Sequence, residues 1–439
     1  MTYPTRPETG ARSLGFSYGV SAGDVDSLLN RITAIVRDPL GTPVTEAGYA
    51  YMGTSRRVGV TLGNGISQTV IDSGDATGLD RFGRVTDLHF KDGSNTVHQY
   101  QYGYDISGNR TYARVTQATI GATAHDNDRS YLYGYDDLQR LVLAHMGKLA
   151  TDNQSILNDP AVALRRKLEW FPDSLGNWSG VDEVHNLADK GLTRTDKTPG
   201  QDPITTEIRH EVDAFNRITG VITDSQPVAH VNDSAGNLVF DGIYVYQYDA
   251  WNRLVEVNLA GTLTTADFTS DGKISPVGDP IHVIGDLVVR FQYDALGRLI
   301  MAQKVHSGSP PAPVYRTEHY YYDGVRRVQE VIQTPGDPTD LFETAHEYVY
   351  GPGYVDEFVL ESQKSGSAQQ DFYILQDANF NVMALTDAGG GVVEQYQWEP
   401  YGLLAAKDTD TGGTIPHSHI GHQGLFFYRF NPQTGDTAT

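Results

Sequence analysis

Along this chain, large apolar and aromatic residues alternate with other residues in short runs, and each run breaks at a cluster of Asp, Gly or Asn. The stretch RFQYDALGRLIMAQ, residues 290–303, shows the unit. Alternation at period two on both sides of its centre marks a strand with one buried face. Between the two runs stands Asp294-Ala295-Leu296-Gly297. Aspartate is favoured at the first position of a type I turn, where its carboxylate accepts a backbone N–H. Glycine at the fourth position supplies the left-handed conformation of a G1 bulge, which closes a three-residue hairpin loop. The unit therefore predicts strand, tight turn, strand, and its Tyr-Asp pair reads as turn chemistry rather than catalysis.

Variants of this unit recur, as in YQYDAWNRLVEV (246–257), YGYDDLQRLVLA (133–144), YGYDISGNRTYA (102–113) and GLDRFGRVTDL (78–88). Turns are predicted at Asp80 with Gly83, Asp105 with Gly108, Asp136, Asp173 with Gly176, and Asp213 with Asn216. Further turns are predicted at Asp233 with Gly236, Asp249 with Asn252, Asp294 with Gly297, Asp323 and Asp377. Asp26 in DSLLNRIT reads as another copy with one inserted residue. Asn follows Gly in its tolerance of positive φ, so Asn216 and Asn252 fit the pattern. Gln139 and Arg326 depart from it, and looser turns are expected there. Several copies carry Asn where Arg is usual, which suits a second polar turn residue.

The spacing of turn aspartates runs from 16 residues (Asp233 to Asp249) to 54 (Asp323 to Asp377), with loop-like insertions such as HSGSPPAPV (306–314) in the longer intervals. Only 148–170, around PAVALRRKLEW (160–170), suggests a helix. The predicted fold class is all-β: tandem hairpins coiled into a continuous spiral sheet, shell-like or barrel-like, with a repeat array over 1–340 and a closing region over 341–439. Self-similarity of this kind overrides a domain count based on length. Roughly ten hairpins give about twenty strands and nearly 100 Å of sheet. That length makes less than one turn of a wide spiral, so both edges are expected to stay open and to demand pairing or cover. The chain is thus expected to work within a longer polypeptide or an assembly of copies joined edge to edge.

Composition narrows the function classes. The net charge of −22 argues against a nucleic-acid partner, and the densest basic run is only LRRKLEW at 164–170. The acidic excess reads as solubility, because no EF-hand or nonapeptide calcium loop appears. There is no cysteine, so neither a disulfide framework nor a thiolate metal site is expected. With 26 Tyr against 15 Phe, the chain favours a side chain that suits walls between dry and wet regions. No apolar run reaches the length of a transmembrane segment, and no signal peptide is visible at the start. An interior piece of a longer protein, or export by a route that reads no such signal, fits that start.

These repeats resemble the RHS or YD-repeat family, which takes in bacterial RHS proteins, insecticidal toxin-complex shells and the animal teneurins. The likeness runs from about residue 13 to 436. YGPGYVDEFVLES (350–362), DFYILQDANFNVMALTDAGGGVVEQYQWEPYG (371–402) and GHQGLFFYRFNPQTGD (421–436) together look like the RHS-associated core. The resemblance implies a hollow shell of β-hairpins with the core region at one end. In toxin members such a shell encloses a C-terminal effector that an aspartyl self-cleavage site releases; in teneurin-like members it is an extracellular adhesion scaffold. The segment FNPQTGD (430–436) has Asn431 where the family has Asp and Asp436 where it has Arg. No catalytic residue carries over.

Other candidate chemistry is weak. His417, His419 and His422 lie close together in HSHIGH, but a third ligand would have to come from a glycine-broken stretch and nothing specifies a fourth, so they read as polar loop histidines. GGG at 389–391 and TLGNGI at 61–66 read as turns, and neither a Gly-x-Ser-x-Gly elbow nor a His-Glu-x-x-His helix occurs. No catalytic, cofactor-binding or metal residue is assigned, and no cofactor is implied. The leading expectation is a structural shell segment that encloses or presents a C-terminal effector cargo. The alternative is an extracellular adhesion or fibre-forming protein that meets a cell-surface receptor or glycan; carbohydrate processing is a remote third. Each places the chain outside the cell or at its surface.

Overall fold

The structure is a computed structural model that describes residues 13–19, 21, 23–38, 42–70, 78–120, 123–159, 162, 164–178, 191–198, 200–275, 284–305, 314–333, 343–365, 368–409 and 418–427. Among these, strands dominate, joined by one single-turn helix, Val25–Leu28, and two 3-10 turns. No helix among them is long and apolar enough to cross a membrane.

The strands form two antiparallel sheets in which each strand pairs almost without exception with its neighbour in sequence. The first has 16 strands between Ser13 and Ala229, and the second has 14 between Val231 and Thr409. This exceeds the roughly twenty strands expected from ten hairpins, because turns outside the Tyr-Asp pattern close hairpins too, as between Asp87–Asp92 and Asn95–Tyr104. The sheet breaks after the strand Gln226–Ala229. Pro227 within that strand has no N–H to donate, which suits a sheet border. Even so, His230 N–H still reaches the Thr219 carbonyl at 2.8 Å, and Asn232 Nδ2 donates to the Ile218 carbonyl at 2.6 Å. Across residue 340 the ladder continues, with Arg326–Gln333 paired to Glu343–Tyr350.

The two sheets face one another around a shared core. Ile35, Ala47, Phe90, Val115 and Leu168 of the first sheet pack in one cluster with Val359, Leu360, Leu375 and Ala384 of the second. Where 343–409 meets the first sheet, these side chains fill much of the interior and leave a cavity between the sheets.

The segment expected to be helical is a strand over its described part, Arg165–Trp170, in which Arg166, Leu168 and Trp170 are buried in alternation. Residues 160, 161 and 163 lie outside the described residues. Arg166, within the densest basic run, points inward onto the Asp196 and Glu399 carboxylates.

Candidate functional site

The repeated turns form a continuous ladder along one rim. At Asp294, Oδ1 accepts the backbone N–H groups of Leu296 and Arg298, both at 2.9 Å, and Oδ2 accepts Nε of Arg298 at 2.7 Å. The Gly297 N–H closes the loop onto the Asp294 carbonyl at 3.0 Å, and Gly297 sits at φ +81°. The same carboxylate pattern recurs at Asp80, Asp136, Asp213 and Asp249 with Arg at the fifth position. At Asp105, Asp173, Asp233 and Asp377 the fifth residue is Asn, whose Nδ2 replaces the guanidinium. The backbone N–H of Arg298, followed by its guanidinium, holds the Asp294 carboxyl below the ordinary aspartate range.

Positive φ falls at the fourth position throughout: Gly83, Gly108, Gly176, Asn216, Gly236 and Asn252 all adopt it. Gln139 does too, at φ +63°, and its N–H bonds the Asp136 carbonyl at 2.9 Å. The looser turn expected there is absent, because the carboxylate bonds of Asp136 hold the loop whatever the fourth residue is. Phe380 takes the same place after Asp377, at φ +61°, with its ring stacked on Tyr354 at 4.6 Å. Asp323 differs. It pairs directly with Arg326 across a two-residue loop in which Gly324 has the positive φ, so it heads a tighter turn of another type. Asp26 lies in the short helix and pairs with Arg31, five residues on, with Asn30 at φ +53°.

Two copies escaped the sequence pattern. Asp387 in the GGG stretch accepts N–H groups from Gly389 and Gly391 at 2.9 and 2.8 Å. Glu399 heads a turn closed by Gly402 N–H onto its carbonyl at 2.9 Å, which leaves the longer carboxylate free for another partner.

The residues flanking each aspartate join one turn to the next. The preceding tyrosine donates its hydroxyl to a carbonyl just after the previous turn: Tyr104 to Val85, Tyr293 to Leu254 and Tyr322 to Leu299, each at 2.7 Å. The fifth-position arginine reaches forward: Arg140 Nη1 donates to the Asp173 carbonyl at 2.7 Å and Arg217 Nη1 to the Asp233 carbonyl at 3.1 Å. It also lies over the tyrosine ring of the following unit, at 4.4 Å for Arg84 on Tyr104 and 4.8 Å for Arg253 on Tyr293. A guanidinium on an aromatic face gains charge–quadrupole attraction at little cost in hydration. The Tyr-Asp-x-x-Gly-Arg unit is thus one hairpin turn with a hook on each side.

Inside, charged side chains bridge the two sheets. Arg37 donates Nε to Glu46 Oε1 at 2.7 Å and Nη1 to Ser362 Oγ at 2.8 Å, and also binds Asp371. Glu46, fully buried, accepts the Tyr373 hydroxyl on its other oxygen at 2.6 Å. Burial opposes the charge on Arg37, but the Asp371 and Glu46 carboxylates outweigh it and raise its pKa. Arg166 Nη1 meets the freed Glu399 carboxylate at 2.7 Å, and Arg57 meets Glu357. Between the sheets lies a cavity of about 470 Å³ walled by Tyr100, Tyr102, Tyr131, Tyr133, Asp377 and Trp398. That volume admits a small polar molecule, not a folded domain.

Among the described residues, one grouping brings three metal-competent side chains together: Glu330, His346 and His419. His422 instead borders the tyrosine-walled cavity. His417 and the FNPQTGD segment lie outside the described residues.

No family model matches this sequence, and no curated protein matches it significantly. Solved structures do. The crystal structure of the TcdB2-TccC3-Cdc42 complex superposes with a TM-score of 0.61 at 14% identity, over 95% of this chain and 18% of that one. The chain has the β-shell fold of the Tc toxins. The Photorhabdus luminescens Tc holotoxin pore, with a mutated TccC3, gives a TM-score of 0.58 at 13% identity over 96% of this chain and 18% of that one. TcdB2-TccC3 without its hypervariable C-terminal region gives 0.56 at 15% identity, over 96% of this chain and 19% of that one. At such identity the likeness is one of fold, and this chain spans less than a fifth of the length of those toxin chains.

Proposed function

We propose that this chain is a structural segment of a toxin-complex type of β-shell, acting outside the cell within a larger body that encloses or presents a C-terminal effector. The observation that carries this reading is the match over nearly the whole chain to less than a fifth of each toxin-shell chain. The turn ladder supports it, since hooks between successive turns suit a wall that must stay closed along its rim. The role is mechanical rather than catalytic. The packed interior supports a wall or end-piece rather than a complete container, because its cavity of about 470 Å³ is far too small for an effector domain.

The test fuses a small folded reporter after residue 439. On the isolated chain the reporter should be digested by protease at the rate of free reporter; in the full native polypeptide, a reporter at the effector position should be protected. Equal digestion in both would overturn the container reading. Incubation of the isolated chain from pH 4 to 8 should leave a single band, and fragments abolished by one Asp→Asn change would overturn the non-catalytic reading.

A second reading, an adhesion or fibre-forming protein, draws on a different observation. The third turn residue is often apolar and exposed, as with Phe82, Leu138, Leu175, Phe215, Trp251 and Leu296. Such a row along the rim suits contact with another surface. Concentration-dependent filaments in electron microscopy, lost on Trp251→Ser with Phe215→Ser, would favour it.

A further inference from the structure

The segment 418–427 packs against the second sheet beside Tyr348, Val382 and Tyr396 and is pinned there at several points. Gln423 N–H bonds Asn381 Oδ1 at 2.8 Å, and Val382 N–H bonds the Gly421 carbonyl at 3.1 Å. The Phe426 ring packs edge-on against Tyr348 at 5.0 Å and lies under the Arg327 guanidinium at 4.1 Å. This anchoring holds His419 against two strands some 75 and 90 residues earlier in the chain, Glu343–Tyr350 and Arg326–Gln333. Its ring lies 4.3 Å from that of His346, and its Nδ1 is 3.4 Å from Glu330 Oε2. One ligand atom from each of the three residues lies within 4.8 Å of the others.

We propose that Glu330, His346 and His419 form a binding site for a divalent transition metal, with zinc the best fit to the donor set. Four observations carry it. Two imidazoles and a carboxylate are a common three-ligand set for zinc that keeps a fourth position open. Arms of about 2.0–2.1 Å at a tetrahedral angle place ligand atoms roughly 3.3 Å apart, close to the His419–Glu330 separation. Two of the three ligands are also oriented from behind. Glu361, fully buried, binds His346 Nδ1 at 2.8 Å and so leaves Nε2 for the metal, the carboxylate–histidine support common at zinc sites. Glu330 Oε1 is taken by the Tyr348 hydroxyl at 2.9 Å and Arg327 Nη1 at 3.0 Å, which leaves Oε2 for the metal.

The fourth observation is the space beside the cluster. A hollow of about 40 Å³ adjoins it, bordered by Lys304, Glu318, Tyr320 and Phe427, with room for one water at the open position. The cations at its border are paired, Lys304 with Glu318 at 2.9 Å and Arg327 with Glu330 at 3.0 Å. Glu361 is bonded by His346 and by the neutral amide of Gln363. A bound metal would fasten the segment 418–427 onto the sheet.

The test uses the full 439-residue chain, stripped with a chelator and titrated with zinc chloride by calorimetry, and with cobalt chloride by visible absorption. One equivalent should bind, with the absorption bands of a four-coordinate nitrogen–oxygen site for cobalt. His419→Gln and Glu330→Gln should each weaken binding at least tenfold, and Glu361→Gln about 10- to 100-fold through His346. His145→Asn, outside the cluster, should change nothing. Hydrogen exchange across 418–427 should slow when zinc is added. His419 is partly exposed, so its variant should fold even if Glu330→Gln does not. No stoichiometric binding would mean that the three side chains pair only with one another, and binding indifferent to His419→Gln would mean adventitious surface histidines. Either result overturns the site.

Discussion

Hairpins from two parts of the array, built on the same turn, end in opposite environments. In the strands Val382–Thr386 and Val392–Trp398, joined by the Asp387 turn, nearly every residue is buried or half-buried. In Ile204–Val212 and Ile218–Thr223, joined by the Asp213 turn, most side chains are half-buried or exposed, and Gln226–Ala229 beyond them is exposed along its whole length. The Asp-x-x-Gly/Asn turn closes a hairpin in both places, so the turn does not decide burial. What differs is a second layer. Strands from 343 to 409 meet the first sheet through the shared core and the buried pairs of Arg37, Arg57 and Arg166, whereas from 204–229, among the described residues, only the partly buried Ile208 packs against that core.

The largest expected break in this contrast is Arg37→Ala. It leaves the buried Glu46 carboxylate without its cation, which costs about 3–5 kcal/mol. Arg290→Ala, at the exposed pair with Glu256, should cost no more than about 1 kcal/mol. Chemical denaturation of both variants checks the difference, and equal costs would mean that the inter-sheet network is solvated. Next, Leu375→Ala in the shared core should cost about 2–5 kcal/mol. Val228→Ala, 45% exposed in the middle of the array, should stay within about 0.5 kcal/mol.

A pH profile sharpens the comparison further. His98, fully buried, stacks on Tyr100 at 4.7 Å, and burial followed by the charge of Arg129 lowers its pKa from 6.5 to about 3. The folded chain therefore binds fewer protons here than the unfolded chain. The stability from His98 is full above pH 6.5 and declines as pH falls toward 3. By pH 5 the loss reaches about 2 kcal/mol. His98→Phe should flatten that part of the profile; an unchanged slope would place the titrating group elsewhere.

Smaller effects are expected at the turns. Gly297→Val forces a β-branched residue to positive φ and should cost about 1–2 kcal/mol, more than Ala295→Val in the same loop. Equal shifts in melting temperature would reject the assignment of the strained position. Smallest of all, Arg298→Lys should cost roughly 0.5–1 kcal/mol by giving up the forward bond to Gly324 and the contact over the Tyr322 ring at 5.1 Å. A double-mutant cycle with Tyr322→Phe checks this, and additive effects would argue that the two hooks act independently.

Local chemistry was legible in the residues themselves. Period-two alternation marked most strands, and Asp with Gly or Asn three residues later marked most turns, because an Asx bond and a positive φ are set within five residues. Where the fourth residue departed from the pattern, as at Gln139 or Phe380, the carboxylate bonds of the aspartate still closed the turn. The hooks of tyrosine and arginine were only half visible: the residues recur in the sequence, but their partners belong to the neighbouring hairpin. The folding of the array onto itself was decided by tertiary structure alone. Arg37 with Asp371, Arg166 with Glu399, and His419 with His346 and Glu330 are separated by 334, 233 and up to 89 residues. A buried charge selects its partner by the low dielectric around the finished pair, and no spacing along the chain records that choice.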